Sequence, residues 1–220
     1  MMSFVKFVLV YELGMWRSFF RWVLRRPVTS DPSARAFSYA GVVTPILAAF
    51  IGVSVIEVPI LHLILPWSTI RNVVTALGVY GALWMVGLLA SLRVHPHVVS
   101  DAGLWVRYGQ SVDIRLPWDA IAAVRFQYRS LTGSRTVRFE ESDAGRIMYL
   151  AISGQSSVDI VFRQPTTLPL SQRGRAMRSE PVTELRIYAD QPEALVALAR
   201  EHLAADRACR RAQPAVVEVS

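Results

Sequence analysis

Cysteine, lysine and recognisable catalytic motifs are scarce or missing in this chain of 220 residues. Cys209 is the only cysteine, so no intramolecular disulfide can form and no zinc site can be built from several thiolates. Cys209 itself reads as a plain residue in a frayed tail. Lys6 is the only lysine among 24 basic residues, an arginine bias that hints at a GC-rich bacterial genome rather than at a function. No Gly-x-Ser-x-Gly elbow surrounds Ser153 or Ser156, and neither a glycine-rich phosphate loop nor a His-Glu-x-x-His pair occurs. His95-Pro96-His97 offers two imidazoles with no cysteine or carboxylate pair to complete a metal set. His202, among Arg200, Glu201 and Asp206, reads as part of a solvated helix face. The expectation is a protein without enzymatic activity, metal or cofactor.

What the chain does have is apolar length: 52% of its residues are hydrophobic and its mean hydropathy is +0.32. Two runs, Ala36 to Leu65 and Val73 to Leu92, each match the roughly 20 residues needed to cross about 30 Å of hydrocarbon. Val42 to Ile56 is interrupted only by Thr44 and Ser54, without the polar stripe of a soluble amphipathic helix. The two runs predict a transmembrane helical hairpin turning at Pro66-Trp67-Ser68, with Trp67 and Trp84 as interfacial or packing aromatics. Asp31 reads as N-cap of the first helix, Pro32 as its first residue, and Arg35 as an interfacial charge. Pro59 is a place for the long first run to bend.

Charge sets the expected orientation. Lys6, Arg17, Arg21, Arg25, Arg26 and Arg35 precede the first run, and Arg93, Arg107 and Arg115 follow the second, whereas the turn holds only Arg71. Positive flanks stay on the cytoplasmic side, so both termini are expected in the cytoplasm of a bacterium, at its inner membrane. The net charge of +7 then points to anionic headgroups rather than nucleic acid, because the arginines cluster beside the spans. Residues 1–30 read as an amphipathic interfacial helix: Lys6, Arg17, Arg21 and Arg25 share one side, and Phe4, Val8, Met15 and Phe19 the other. No cleavable signal is apparent, since Glu12, Trp16 and Arg17 break the apolar stretch.

Within the hairpin, Gly41, Pro45, Ala49, Ala48 with Gly52, and Gly78 with Ala82 recur at four-residue spacing, which suits close helix packing or a homo-oligomer. Glu57 and His62 are the ionisable residues inside the first span, where a charge costs on the order of 3 kcal/mol. They lie about 140° apart on a regular helix. Two readings stand: a structural clamp in which Arg71 reaches one of them, or a proton- or ion-handling pair in a small transport-related protein.

From about residue 94 the period changes to short alternating runs, expected to form short antiparallel strands. These are 97–100, 104–108, 111–116, 121–128, 136–140, 147–153, 158–163 and a last one at 184–189. A polar loop carrying Arg173, Arg175 and Arg178 separates the last strand from the others and offers a lipid- or partner-binding surface or a solvated loop. Arg125 to Arg138 reads as a solvated hairpin. Asp190 is expected to cap a C-terminal helix from Pro192 to Asp206, with Leu195, Leu198, Ala199 and Leu203 inward.

The stretch Val98-Val99-Ser100-Asp101-Ala102-Gly103-Leu104-Trp105-Val106, followed by Ile114-Arg115-Leu116-Pro117-Trp118-Asp119-Ala120-Ile121-Ala122-Ala123-Val124, resembles the opening of bacterial pleckstrin-homology-like domains. In that family such domains often follow a transmembrane hairpin. The resemblance covers residues 94–206 and implies an α+β domain, an antiparallel β-barrel or sandwich capped by one helix. It implies anchoring, assembly or ligand sensing, and no reaction. The expected organisation is therefore residues 1–30 interfacial helix and linker, 31–93 transmembrane hairpin, 94–206 cytosolic domain and 207–220 flexible tail. The expected role is a scaffold or interaction module whose partners are anionic lipids and a protein or a second copy.

Overall fold

The computed structural model describes residues 2–24, 31, 33–109, 111–133, 135–172 and 175–212; for 2–11, 170–172 and 175–178 only the backbone is described. Arg25 and Arg173, both candidate binding residues, lie outside the described residues, as does the expected tail from 213 onward. Helices α1 (Met2–Val23), α2 (Val43–Ile64), α3 (Ser68–Val94) and α4 (Pro192–Ala212) accompany two larger sheets and a small hairpin. The first sheet orders β1 (Arg35–Phe37), β2 (His97–Ser100), β3 (Gly103–Tyr108) and β4 (Val112–Leu116) as antiparallel neighbours. The second contains β5 (Ile121–Ser130), β6 (Val137–Ser142), β7 (Gly145–Leu150), β8 (Gln155–Thr166) and β11 (Val182–Ile187), in the spatial order β5-β8-β11-β7-β6. Strands β9 (Pro169–Gln172) and β10 (Arg175–Arg178) pair with each other.

Two helices, α2 and α3, are long and apolar enough to cross a membrane. A core helix of a soluble protein would be covered by protein, yet no residue of α2 is buried. The helices pack as a hairpin: a Cβ on Gly78 would lie 2.5 Å from Val58, so glycine permits the close approach. Gly52 has nothing within that reach and Ala48 is exposed, so this second small pair points away from α3.

The segment before α2 departs from expectation. Asp31 is no helix cap; its carboxylate accepts the backbone N–H and the hydroxyl of Ser33, at 2.9 and 2.8 Å, in a local turn. Arg35–Phe37 then forms an edge strand on β2, with Phe37 opposite His97. Phe37 enters the main core and Tyr39 is 1% exposed. Residues 35–40 thus pack with the sheets rather than extending the span.

The second sheet is also not a simple antiparallel meander, because β11 inserts between β8 and β7 and runs parallel to β7. The strands form separate sheets and no closed barrel. The inward residues of both sheets, including Val106, Ile114, Ile121, Met148, Ile160 and Leu185, meet Leu195, Ala199 and Leu203 of α4 in one core. This supports an α+β layout with an amphipathic helix covering the sheets. The expected polar loop after β8 contains the β9–β10 hairpin, held at its base by bonds from Ser179 N–H to Leu168 O (2.8 Å) and from Leu168 N–H to Ser179 Oγ (2.9 Å). The final helix runs to Ala212, six residues past Asp206, so the start of the expected tail is helical.

Gly103 closes the β2–β3 turn with φ +145°, and a Cβ there would sit 2.2 Å from the carbonyl oxygen of Leu116. Gly133 also has positive φ, +102°, but open space around it. Gly103→Ala should cost at least about 2 kcal/mol and lower the melting temperature of the detergent-solubilised full chain by several degrees. Gly133→Ala, strained in backbone alone, should cost less; equal shifts would refute the steric account.

Candidate functional site

The most extensively bonded polar assembly lies where the helices meet the sheets. His97 is 1% exposed; the backbone N–H of Arg107 donates to its Nδ1 at 3.2 Å, so Nε2 carries the hydrogen and donates to Tyr188 O at 3.0 Å. Burial pushes its pKa down to about 4. The Tyr39 ring lies 4.9 Å from His97 and stacks on Tyr108 at 5.7 Å, and its hydroxyl accepts the Gly109 N–H at 2.7 Å. Burial raises the Tyr39 pKa, so the phenol stays neutral.

Asp190 ties this assembly to the membrane-length helices. Its two carboxylate oxygens accept the Gly41 N–H at 2.9 and 3.1 Å, and its own N–H donates to Ser38 O at 2.8 Å. Gly41 lies two residues before α2, so the carboxylate holds the backbone leading into α2 and places negative charge near its N-terminal end. The expectation that this side chain caps α4 is corrected accordingly. Gly41 also makes room: a Cβ would lie 2.6 Å from Asp190 Oδ1. Nearby, Tyr39, Ala40, Leu92 and Ile152 form a second apolar cluster, with Val43 and Leu47 of α2 against it.

Arg107 counts toward the positive flank in the sequence, but it is only 5% exposed. Its Nε donates to Pro96 O at 2.9 Å, and its guanidinium carbon lies 3.8 Å from the centre of the Trp105 ring. Arg115 reaches the same ring at 4.4 Å, and the indole N–H donates to Asp113 at 2.5 Å. Burial lowers the Arg107 pKa, and the charge of Arg21 adds to that effect.

Arg21 belongs to α1, whose position departs from the expected in-plane helix. Tyr80 donates its hydroxyl to Glu12, Met15 covers Gly87, and Arg93 lies 5.8 Å over the Trp22 ring. Contacts that advance together along both chains place α1 beside α3 and running in the same direction. Met15 of the aromatic side is 0% exposed and Ser18 of the arginine side 3%, so helix packing takes part of both sides of α1. Arg17 stays exposed and Arg21 is half-buried.

The intramembrane candidates are not assembled into a site. Glu57 and His62 are exposed on α2, and Nδ1 of His62 contacts the Thr75 hydroxyl at 2.9 Å. Neither Glu57 nor His62 pairs with Arg71, whose buried Nε has no hydrogen-bond partner. The expected clamp is therefore absent from the described residues. Arg175 and Arg178 occupy the ends of β10. His202 is also unlike its expectation, since it stacks on Trp118 at 5.3 Å and approaches Asp101 at 3.5 Å.

The outer face of the second sheet carries one more polar cluster. Register aligns Arg125, Asp159, Arg186 and Tyr149 across β5, β8, β11 and β7. Asp159, 3% exposed, meets Arg129 at 2.5 Å and Arg186 at 3.7 Å. Buried charge demands such partners. Among the described residues no group of three or more His, Cys, Asp or Glu could hold a metal ion. A half-open hollow of about 280 Å³ lies by the β2–β3 turn, between Trp105, Arg115 and Ser100. Family models, curated proteins and solved structures were all searched, and none matches this chain.

The sequence signal for the junction was thin. Tyr39 and Asp190 are 151 residues apart and neither belongs to a motif, although a polar ring at the edge of a long apolar run was a usable hint.

Folded His97 resists protonation down to about 4, whereas the unfolded chain takes up the proton near 6.5. Its contribution is therefore complete above the unfolded value and is lost as pH falls from about 6.5 toward 4, a loss on the order of 3 kcal/mol. Denaturation of the full chain between pH 7 and 5 should show this decline, and His97→Gln, which keeps a donor toward Tyr188, should flatten it. An unchanged slope in the variant would remove His97 as its source.

Proposed function

We propose that this is an integral membrane protein whose α2–α3 hairpin holds a pleckstrin-homology-like domain at the cytoplasmic face as a non-enzymatic scaffold or interaction module. The observation that carries the reading is the pairing of β1, which precedes α2, with β2, which follows α3. Both ends of the hairpin are strands of one sheet, so the domain is held in a fixed pose against the bilayer rather than tethered by a linker. The C-terminal helix over two sheets supports the pleckstrin-homology-like assignment, and the parallel β11–β7 pair makes it a divergent one.

Arginine bias favours a cytoplasmic domain, with Arg93 and Arg115 exposed at its junction with α3. Anionic headgroups would be met there by Arg17, Arg21, Arg93 and the Trp22 ring. The direction of α1 changes the expected topology, because its N-terminal end lies toward the 65–67 turn, on the side opposite the domain. Cys209, exposed near the end of α4, gives a native test. A membrane-impermeant maleimide should label it only in inverted vesicles or after permeabilisation. Labelling in intact cells would overturn the orientation.

The second reading, proton or ion handling, would use Glu57 and His62. Both are exposed on α2, and ionisable groups within a span, where a charge costs on the order of 3 kcal/mol, mark proton and ion paths. Tagged full-length protein drawn from native membranes should co-purify a defined partner, and Glu57→Gln with His62→Gln should leave that yield unchanged. Loss of a pH-dependent flux in proteoliposomes through the same double change, with no partner recovered, would exchange the two readings.

A further inference from the structure

The β5–β6 connection occupies a particular place in the fold. Its two strands are the opposite edges of the five-stranded sheet, so residues 131–136 must cross the end of that sheet, a distance of about 19 Å at the usual strand spacing. They cross against the β7–β8 turn. Leu131 N–H donates to Gly154 O at 2.6 Å, Ala151 N–H donates to Thr136 O at 2.8 Å, and a Cβ on Gly154 would meet the carbonyl oxygens of Leu131 and Gly133 at 3.0 and 3.2 Å.

That turn fixes the depth of the crossing loop. Ile152, within it, packs with Tyr39 and Leu92, and the first two turns of α2, through Val43 and Leu47, lie against the same cluster. The loop therefore stands level with the first turns of the hairpin, where hydrocarbon gives way to headgroups. By contrast α4 leaves this level: Arg200 bonds Val124 O and Arg207 bonds Ala122 O, toward the far end of β5.

The side chains at this level match that address. Within the strands, Phe126 and Tyr128 are the exposed large hydrophobics among the described residues, at 46% and 55%. Arg135 and Arg138 stand at the loop itself, and neither pairs with a carboxylate. Arg129 differs, since it is engaged by Asp159. Beneath the loop Leu131, Val137 and Phe139 line an open hollow of about 710 Å³ whose rim carries Arg135 and Arg138. Aromatics with uncompensated arginines around an open hollow of mixed polarity suit the boundary between acyl chains and anionic headgroups.

We infer that the β5–β6 rim, with Tyr128, Leu131, Arg135 and Arg138, is a second docking surface that binds anionic headgroups of the bilayer spanned by its own hairpin. The inference rests on the membrane reading of α2 and α3. It places lipid recognition on a segment whose sequence reads as a solvated hairpin. It also presses the domain onto the membrane beside α2, in addition to its covalent attachment.

The test uses the full chain in nanodiscs containing either phosphatidylcholine alone or phosphatidylcholine with phosphatidylglycerol. A fluorophore is attached at Thr132→Cys or Val53→Cys, each with Cys209→Ser, or at native Cys209. In anionic discs the Thr132 label should be quenched by doxyl lipid and shielded from iodide at least threefold relative to the Cys209 label. Zwitterionic discs, high salt or the double change of Arg135 and Arg138 to Gln should remove most of that difference. A Thr132 label as open to iodide as Cys209 in anionic discs would overturn the docking surface. Quenching indifferent to lipid charge and to the arginines would overturn headgroup recognition. The Val53 label separates the premises: doxyl quenching there keeps the membrane reading when Thr132 fails, and its absence overturns both.

Discussion

Three residues of antiparallel pairing, Arg35 to Phe37 against Val99 to His97, organise this molecule. Because β1 and β2 are neighbours in one sheet, everything between them is an insertion into a strand connection. The insertion is the apolar hairpin. Its ends must therefore return to within a strand spacing of about 4.8 Å, and two antiparallel helices joined by a short turn meet that demand without further linker. Asp190 then ties the entrance of α2 to the end of β11, and Leu92 packs the exit of α3 beside Tyr39 and Ala40.

This arrangement explains why so much polar chemistry is concentrated at one level. Strand ends, helix entries and an aromatic pair converge where neither water nor hydrocarbon is a uniform solvent, and every buried N–H and C=O there needs a named partner. His97 satisfies two at once by holding a single tautomer, and Asp190 supplies two acceptor oxygens to one backbone donor. Asp159, the carboxylate buried among the described residues, is handled separately by Arg129 and Arg186 on the outer sheet face.

Legibility from sequence followed the strength of local pattern. The apolar helices, the strands from β2 to β8 and the amphipathic C-terminal helix carry long periodic signals and were readable, with boundaries shifted by a few residues. Strand β1 was hidden because Ala36 and Phe37 are as apolar as the helix that follows, and Asp31-Pro32 mimics a helix start. The β9–β10 hairpin was hidden by polar composition. For α1 the pattern gave a helix with an aromatic side, but aromatics that face lipid headgroups and aromatics that face another helix have the same spacing. The parallel insertion of β11 left no local trace, since it is a property of chain order alone. Of the candidate site residues, Glu57, His62 and Arg71 could be placed by depth but not by contact. The junction depends on pairs far apart in the chain, such as Gly41 with Asp190, 149 residues away.

Helix α3 has 27 residues, about 40 Å at 1.5 Å per residue, which exceeds the roughly 30 Å of a hydrocarbon core. Its surplus is the segment from Gly87 to Val94, much of it buried. A helix too long for its bilayer tilts, and this one is set into the sheets at one end without a hinge. Tilt therefore becomes rotation of the whole domain. In a bilayer spanned as proposed, α3 would act as a lever whose fulcrum is the membrane surface: thinning the membrane by a few ångströms would swing the faces of the sheets rather than merely bend a loop.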